Sequence, residues 1–140
     1  MSLLDTTVVS ELMRPQPDAA VRRWLAGLGD TPLATTAITI AEIVYGLRRL
    51  PPGRRRQALE ASFEALAGPG SPLPVLTFDD IAAREAGRLR ALREAAGFEG
   101  AASDMMIAGL CTVVGASLAT RNVRDFTHLP VTVIDPWRDL

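Results

Sequence analysis

Three features of the sequence predict an α/β fold, a three-layer α/β/α sandwich around a short central parallel sheet of about five strands. Short apolar runs alternate with longer segments of helical periodicity along the whole chain. Residues of 48% hydrophobic character include only 5% aromatics; alanine, leucine and valine suit helices lying close against a buried sheet. A length of 140 residues is in the usual range for one core, and no repeat or low-complexity stretch divides it, so 1–140 is expected to be a single domain.

Leu3-Leu4 before Asp5 reads as a short buried strand, and 6–14 as a helix that must stop before Pro15. After the turn Pro15-Gln16-Pro17, Asp18 caps a second helix through Trp24-Leu25, ended by Gly27 and Gly29. Residues 33–38 make a second strand. Thr39-Ile40-Ala41-Glu42 has the capping-box pattern and opens a helix that runs through Tyr45 to about residue 50, where Pro51-Pro52-Gly53 closes it. Leu59, Phe63 and Leu66 give the next helix one apolar face. Beyond a Gly/Pro loop at 69–74, residues 75–78 form a third strand and Asp79 starts a helix carrying Ala82, Ala86, Leu89, Leu92 and Ala96 at helical spacing. The helix at 103–114 is apolar nearly all round, as expected of one wedged against a sheet. Strands at 117–120 and 131–134 complete the set. Strands that alternate with helices require crossover connections and parallel pairing, and in such sheets functional groups gather at the carboxyl ends of the strands.

Composition excludes much chemistry. All fifteen cationic side chains are arginine, so there is no P-loop lysine, no Schiff base and no receiver-domain lysine. Cys111 is the sole cysteine and lies in an apolar run, which rules out an intrachain disulfide and a thiolate cluster and marks the thiol as core filler. His128, the only histidine, sits in a loop without an obvious catalytic partner. The first residues lack the basic start of a signal peptide, and no uncharged run reaches the roughly 20 residues of a membrane span, so a cytoplasmic, reducing setting without membrane association is expected. Net charge is -1 and the pI 5.8; binding of nucleic acid must therefore rely on local charge.

Carboxylates are the remaining reactive stock. Asp5 follows the first strand, Glu42 and Asp104 lie near helix starts, and Asp125 follows the fourth strand. Each has a structural alternative: Asp5 as a helix cap, Glu42 in the capping box with Thr39, Asp104 as a complement to the helix dipole. Parallel topology can bring all four to one edge. Two carboxylates about 4 Å apart repel by about 4 kcal/mol at an effective dielectric near 20, so a cluster persists only with raised pKa values or a bound cation. Oxygen-only ligands select magnesium, or manganese, over zinc, and magnesium commonly contacts substrate phosphates. Such an ion lowers the pKa of water and neutralises charge growing on a phosphate.

The segments Leu3-Leu4-Asp5-Thr6-Thr7-Val8-Val9-Ser10-Glu11-Leu12, Ala37-Ile38-Thr39-Ile40-Ala41-Glu42, Ser103-Asp104-Met105-Met106-Ile107-Ala108 and Ala119-Thr120-Arg121-Asn122-Val123-Arg124-Asp125-Phe126 resemble the four ordered motifs of VapC-type PIN-domain toxins. Asp135-Pro136-Trp137 resembles their usual asparagine-proline-tryptophan ending. The resemblance spans essentially the full length and implies a PIN-like fold. It implies a magnesium-dependent endoribonuclease toxin of a toxin-antitoxin pair, with Asp5, Glu42 and Asp104 as the acidic metal-binding core and Asp125 as a further catalytic acid. Thr6, Thr120, Arg121 and Asn122 stand where contacts to substrate or its phosphates are expected. Implied partners are RNA, often transfer RNA, a cognate antitoxin, DNA only through that antitoxin, and a second copy in a homodimer.

Two positions depart from the family pattern. Asn122 stands where many relatives carry a fourth acid, with Asp125 three residues beyond, and Thr7 stands where asparagine is usual. They motivate a rival expectation, a catalytically weak PIN-fold binding module that acts with an antitoxin on operator DNA. The arginines Arg48-Arg49 and Arg54-Arg55-Arg56 could hold phosphates or acidic antitoxin side chains, or form a solvated helix surface with Arg56 paired to Glu60. Arg121 could grip a phosphate or pair with Asp125 or Asp104. Restoring a charge by Asn122→Asp is expected to strengthen occupancy of a second metal position, which manganese calorimetry reads directly; no added binding counts against it.

Overall fold

The computed structural model describes residues 1–138. Five strands and six helices follow one another as β1 (Ser2–Leu4), α1 (Thr6–Leu12), α2 (Ala19–Ala26), β2 (Leu33–Thr36), α3 (Ala37–Arg49), α4 (Arg54–Ala67), β3 (Val75–Leu76), α5 (Asp80–Ala95), α6 (Ala102–Val114), β4 (Ser117–Ala119) and β5 (Val133–Ile134), with a 3-10 turn at Val123–Phe126. The sheet has the order β3-β2-β1-β4-β5, and every pairing is parallel. The expected α/β class, strand number and pairing are all present. Among the described residues no helix is long and apolar enough to cross a membrane.

Alternation along the central strands explains the layers. Leu3 of β1 and Leu118 of β4 pack on one face with α5 and α6 through Leu89, Ile107 and Leu110. Leu4 and Ala119, one residue later, point to the other face, into a core made with Val8, Trp24, Ile43, Leu47 and Phe63 from α1 to α4. Leu3, Leu4 and Leu118 are essentially inaccessible to water. Burial on both faces is why these strands read as continuous apolar runs.

The junction of β2 and α3 differs from expectation for one reason. The second strand ends at Thr36, not at residue 38, and α3 begins at once, because Thr36 Oγ1 accepts the Thr39 amide at 3.1 Å as the N-cap. The capping box expected between Thr39 and Glu42 is therefore absent, and Glu42 is released from a capping role. The helix expected from residue 103 begins at Ala102 without a side-chain cap. Strands β3 and β5 are shorter than expected, two residues each.

Close approach of α5 and α6 is set by small residues. A Cβ added at Gly109 would meet Ala86 N at 2.9 Å, Ala82 O at 3.0 Å and Ala86 Cα at 3.1 Å, all backbone atoms that cannot move aside alone. A Cβ at Gly87, in α5, would meet nothing within 4 Å. Gly109→Ala is expected to destabilise by roughly 1–3 kcal/mol through overpacking, whereas Gly87→Ala should stabilise by about 0.5–1 kcal/mol through helix propensity. Urea denaturation of the two variants separates these signs.

Candidate active site

The strand order places a topological switch point between β1 and β4: from β1 the chain winds outward through β2 to β3, then returns to the other side. Crevices form at the carboxyl ends of strands flanking such a point. Asp5 and Thr120 are the residues immediately after β1 and β4. The Asp5 amide donates to Ala119 O at 3.1 Å, locking the two strand ends together.

Asp5 is buried, and its carboxylate is held from several sides. Oδ1 accepts from Thr7 N at 3.0 Å, Val8 N at 3.2 Å and Thr7 Oγ1 at 2.6 Å, while Oδ2 accepts from Thr120 Oγ1. Burial pushes its pKa up, and the hydrogen bonds from Thr120, Thr7 and Val8 oppose that rise. Asp5 thus caps α1, as its structural alternative required, and also stands in the acid cluster. Thr7 proves more than a replacement for asparagine: its hydroxyl donates to Asp5 and accepts from Arg121 N at 3.0 Å, linking the first and fourth motifs. The Thr120 hydroxyl likewise accepts from Asn122 N at 3.0 Å while donating to Asp5.

Glu42 lies on α3, half-buried, and its Oε1 accepts from Thr6 Oγ1 at 2.6 Å. Asp104 occupies the first turn of α6, half-buried. Its pKa is pushed up to about 6, first by burial and then by the charges of Asp125, Glu42 and Asp5, against a lowering from Arg93. The topology has therefore brought three of the sequence-predicted acids, Asp5, Glu42 and Asp125, within electrostatic reach of the fourth, Asp104. Among the described residues, no three His, Cys, Asp or Glu side chains close into a preformed metal-holding set.

Asp125 and Asn122 are exposed on the segment of the 3-10 turn. Arg121 stacks on Trp137, its guanidinium carbon 4.9 Å from the ring centroid, and among the described residues it forms no ion pair with Asp125 or Asp104. Arg56 pairs with Glu60 at 2.6 Å, which supports the solvated-surface alternative for that arginine. His128 has a positive φ of 64° and stacks on Phe98 at 4.1 Å. Cys111 is core, its thiol pushed up to about 12 by burial.

Arg93 was not among the sequence-predicted residues. It is buried and donates to Glu99 O at 2.6 Å, Thr127 Oγ1 at 3.1 Å and Arg124 O at 3.2 Å, and also to Thr127 O. One side chain therefore ties the segment carrying Asn122 and Asp125 to α5. Its position four residues beyond Leu89, on the buried face of α5, was the available signal.

An all-parallel sheet with acids gathered at its switch point defines a PIN-like α/β protein. The family model described as PIN domain matches residues 2–131. The chain is 34% identical over 137 residues to VapC ribonuclease Y4jK of Sinorhizobium fredii, covering 98% of each protein. It is 34% identical over 139 residues to toxin FitB of Neisseria gonorrhoeae, covering 99% of this chain and 100% of FitB. The solved structure of FitAB bound to an IR36 DNA fragment superposes with a TM-score of 0.87 at 34% identity, across 99% of this chain and 96% of that one. The chain belongs to the PIN-domain family.

The raised pKa of Asp104 has a definite sign for stability. A carboxyl that holds its proton more tightly when folded than when unfolded favours the fold below the unfolded value of 3.8, and that contribution is lost as pH rises through about 6. Without metal, Asp104→Asn is therefore expected to raise the urea midpoint near pH 7.5 and to change it little near pH 4. Magnesium should raise the wild-type midpoint but not that of the variant. An Asp104→Asn midpoint below wild type at both pH values contradicts the assignment.

Proposed function

We propose that this chain is a metal-dependent endoribonuclease, the toxin of a toxin-antitoxin pair, that hydrolyses RNA phosphodiester bonds at a carboxylate-held magnesium site. The observation that carries this reading is the coupling of Asp104 to Asp125, Glu42 and Asp5 beside the β1/β4 switch point. The relatives named VapC ribonuclease and toxin FitB support it.

The donor set fits a hard divalent cation. It is composed of carboxylate oxygens, it lacks histidine and thiolate, and the charges of Asp125, Glu42 and Asp5 raise the proton affinity of Asp104. Magnesium keeps several waters and contacts one or two carboxylates together with substrate phosphates; this accords with acids that are coupled without forming a closed three-ligand set. Manganese suits the same oxygens. When bound, such an ion supplies a water of lowered pKa and neutralises charge developing on the phosphate.

The chain's own residues then divide the work. Asp5, Glu42 and Asp104 would hold the cation directly or through its waters, and Asp125 would add negative charge at the exposed rim. Thr7 and Thr120 fix the Asp5 carboxylate by their hydroxyls, and Thr6 does the same for Glu42. Arg121 and Asn122 face the substrate side, where a guanidinium and an amide are suited to phosphate oxygens. Because Thr7 retains a hydrogen bond to Asp5, its departure from the family pattern leaves the acid oriented, which weakens the case for an inactive binding module. The same reading extends to a cytoplasmic setting, a homodimer, a cognate antitoxin that covers the site and carries any DNA binding, and structured RNA such as transfer RNA as substrate. The solved FitAB complex on DNA is the supporting parallel.

Purified wild type with magnesium should cut RNA, and Asp5→Ala should not; sequencing RNA ends after induction of each locates the target. Equal cutting by both sinks the reading. Thr120→Val removes only the hydroxyl that orients Asp5, so magnesium affinity or activity is expected to fall roughly 10–100-fold with the fold retained.

A further inference from the structure

Beside the acid cluster lies a groove of about 840 Å³, lined by Arg121, Asn122, Arg124, Asp125, Trp137 and Arg138 among others. Three arginines meet here in a protein of net charge -1. Of the twelve other arginines, Arg14, Arg56, Arg84, Arg88 and Arg90 each pair with a carboxylate on their own helix or turn, Arg93 is consumed by backbone carbonyls, and the remaining six lie on α2, α3 and α4, none of them lining this groove. Arg121 and Arg124 are exposed and, among the described residues, enter no ion pair. Arg138 comes within 3.9 Å of Asp135 but remains 86% exposed.

The groove is also rigidly built. Arg121 is fixed at both ends, its amide by Thr7 Oγ1 at 3.0 Å and its guanidinium by the Trp137 ring at 4.9 Å. Trp137 is held in turn by its amide, which donates to Asp135 Oδ1 at 2.9 Å. The carbonyl of Arg124 accepts from Arg93 Nη2 at 3.2 Å and from Thr127 Oγ1 at 3.1 Å, so the turn that presents Arg124 is pinned to α5. A guanidinium stacked on an aromatic face keeps its N–H edge directed outward for bidentate contact with phosphate. Ordering costs that a free arginine would incur on binding are reduced beforehand.

We infer that this groove is a substrate subsite that receives the phosphodiester backbone of a single-stranded RNA segment leading away from the scissile bond, with Arg121 and Arg124 as its phosphate contacts. The inference rests on the nuclease reading above and names how that site grips its substrate. Continuity favours a nucleic acid strand over an acidic peptide. Arg121 and Asn122 line the groove, and their amides donate to the Thr7 and Thr120 hydroxyls that themselves hold Asp5, so a strand held there borders the acid cluster. Trp137 adds an aromatic side chain to the lining, beside Arg121.

Binding without divalent metal tests the subsite apart from cleavage. A fluorescein-labelled, mixed-sequence oligoribonucleotide of about 12 nucleotides is titrated with the full chain by anisotropy over a range of salt. Arg121→Gln/Arg124→Gln should flatten the slope of log affinity against log salt by about 1.4, and Arg124→Gln alone by about 0.7, the single-strand value per phosphate contact. Arg22→Gln/Arg23→Gln changes net charge equally on α2 and should leave the slope unaltered. Trp137→Leu should weaken binding without changing the slope. A wild-type slope in the Arg121/Arg124 variant, or an equal loss in the Arg22/Arg23 variant, overturns the inference. So does displacement of the RNA by an oligoglutamate of about the same length at equal concentration, which would reassign the groove to acidic peptide. Cleavage that survives Asp5→Ala alongside a flattened slope sinks the nuclease reading and spares RNA binding in the groove; loss of cleavage with an unchanged slope does the reverse.

Discussion

A carboxylate buried between two strand ends is tolerable only if its charge is solvated by protein, and Asp5 meets that condition through donors that come from both sides of the switch point. The α1 amides of Thr7 and Val8 and the Thr7 hydroxyl hold one oxygen; Thr120, just past β4, holds the other. The same contacts close the seam between the first and fourth motifs, since Thr7 also accepts from Arg121 and Thr120 from Asn122. Helix capping and acid positioning are here one set of hydrogen bonds. Loss of either threonine hydroxyl leaves the buried carboxylate short of a donor, a cost greater than the hydrogen bond's net worth.

The remaining acids depend on that seam. Glu42 reaches the site because α3 is capped by Thr36 one turn earlier than its local pattern suggests, which leaves its carboxylate to accept from Thr6. Asp104 arrives on a helix packed so tightly against α5 that glycine is required at position 109. Arg93 on α5 pins the turn that carries Asp125 and, by its charge, moderates the rise in Asp104's pKa. Together these contacts hold like charges near one another at the expense of stability, an arrangement common where a site serves function.

Arginine distribution follows the same division. Several on helix surfaces, Arg56, Arg84, Arg88 and Arg90 among them, pair with acids three or four residues away and contribute little each. Arg121 and Arg124, which enter no ion pair among the described residues, lie with Arg138 along one wall next to the acid cluster. A chain with almost no net charge can thereby present a cationic track, because local geometry rather than total charge sets the field within a Debye length.

Local pattern was enough to determine the α/β class, the strand and helix succession, the core role of Cys111 and the acids worth watching, because burial on alternate faces and helical period leave marks on neighbouring residues. It misled at Thr39 and Glu42, where a capping-box spacing is satisfied equally well by a helix that starts three residues earlier. Contacts between residues distant in the chain left no such mark. The Thr7 link to Arg121, the Arg93 link to the turn at Val123–Phe126 and the stacking of Arg121 on Trp137 join residues separated by many positions. Sequence by itself determined which groups were available for chemistry; only the tertiary structure decided that Asp5 is both cap and cluster member and that Asp104 shares its field with three other acids, because proximity across the switch point arises from sheet order and not from spacing along the chain.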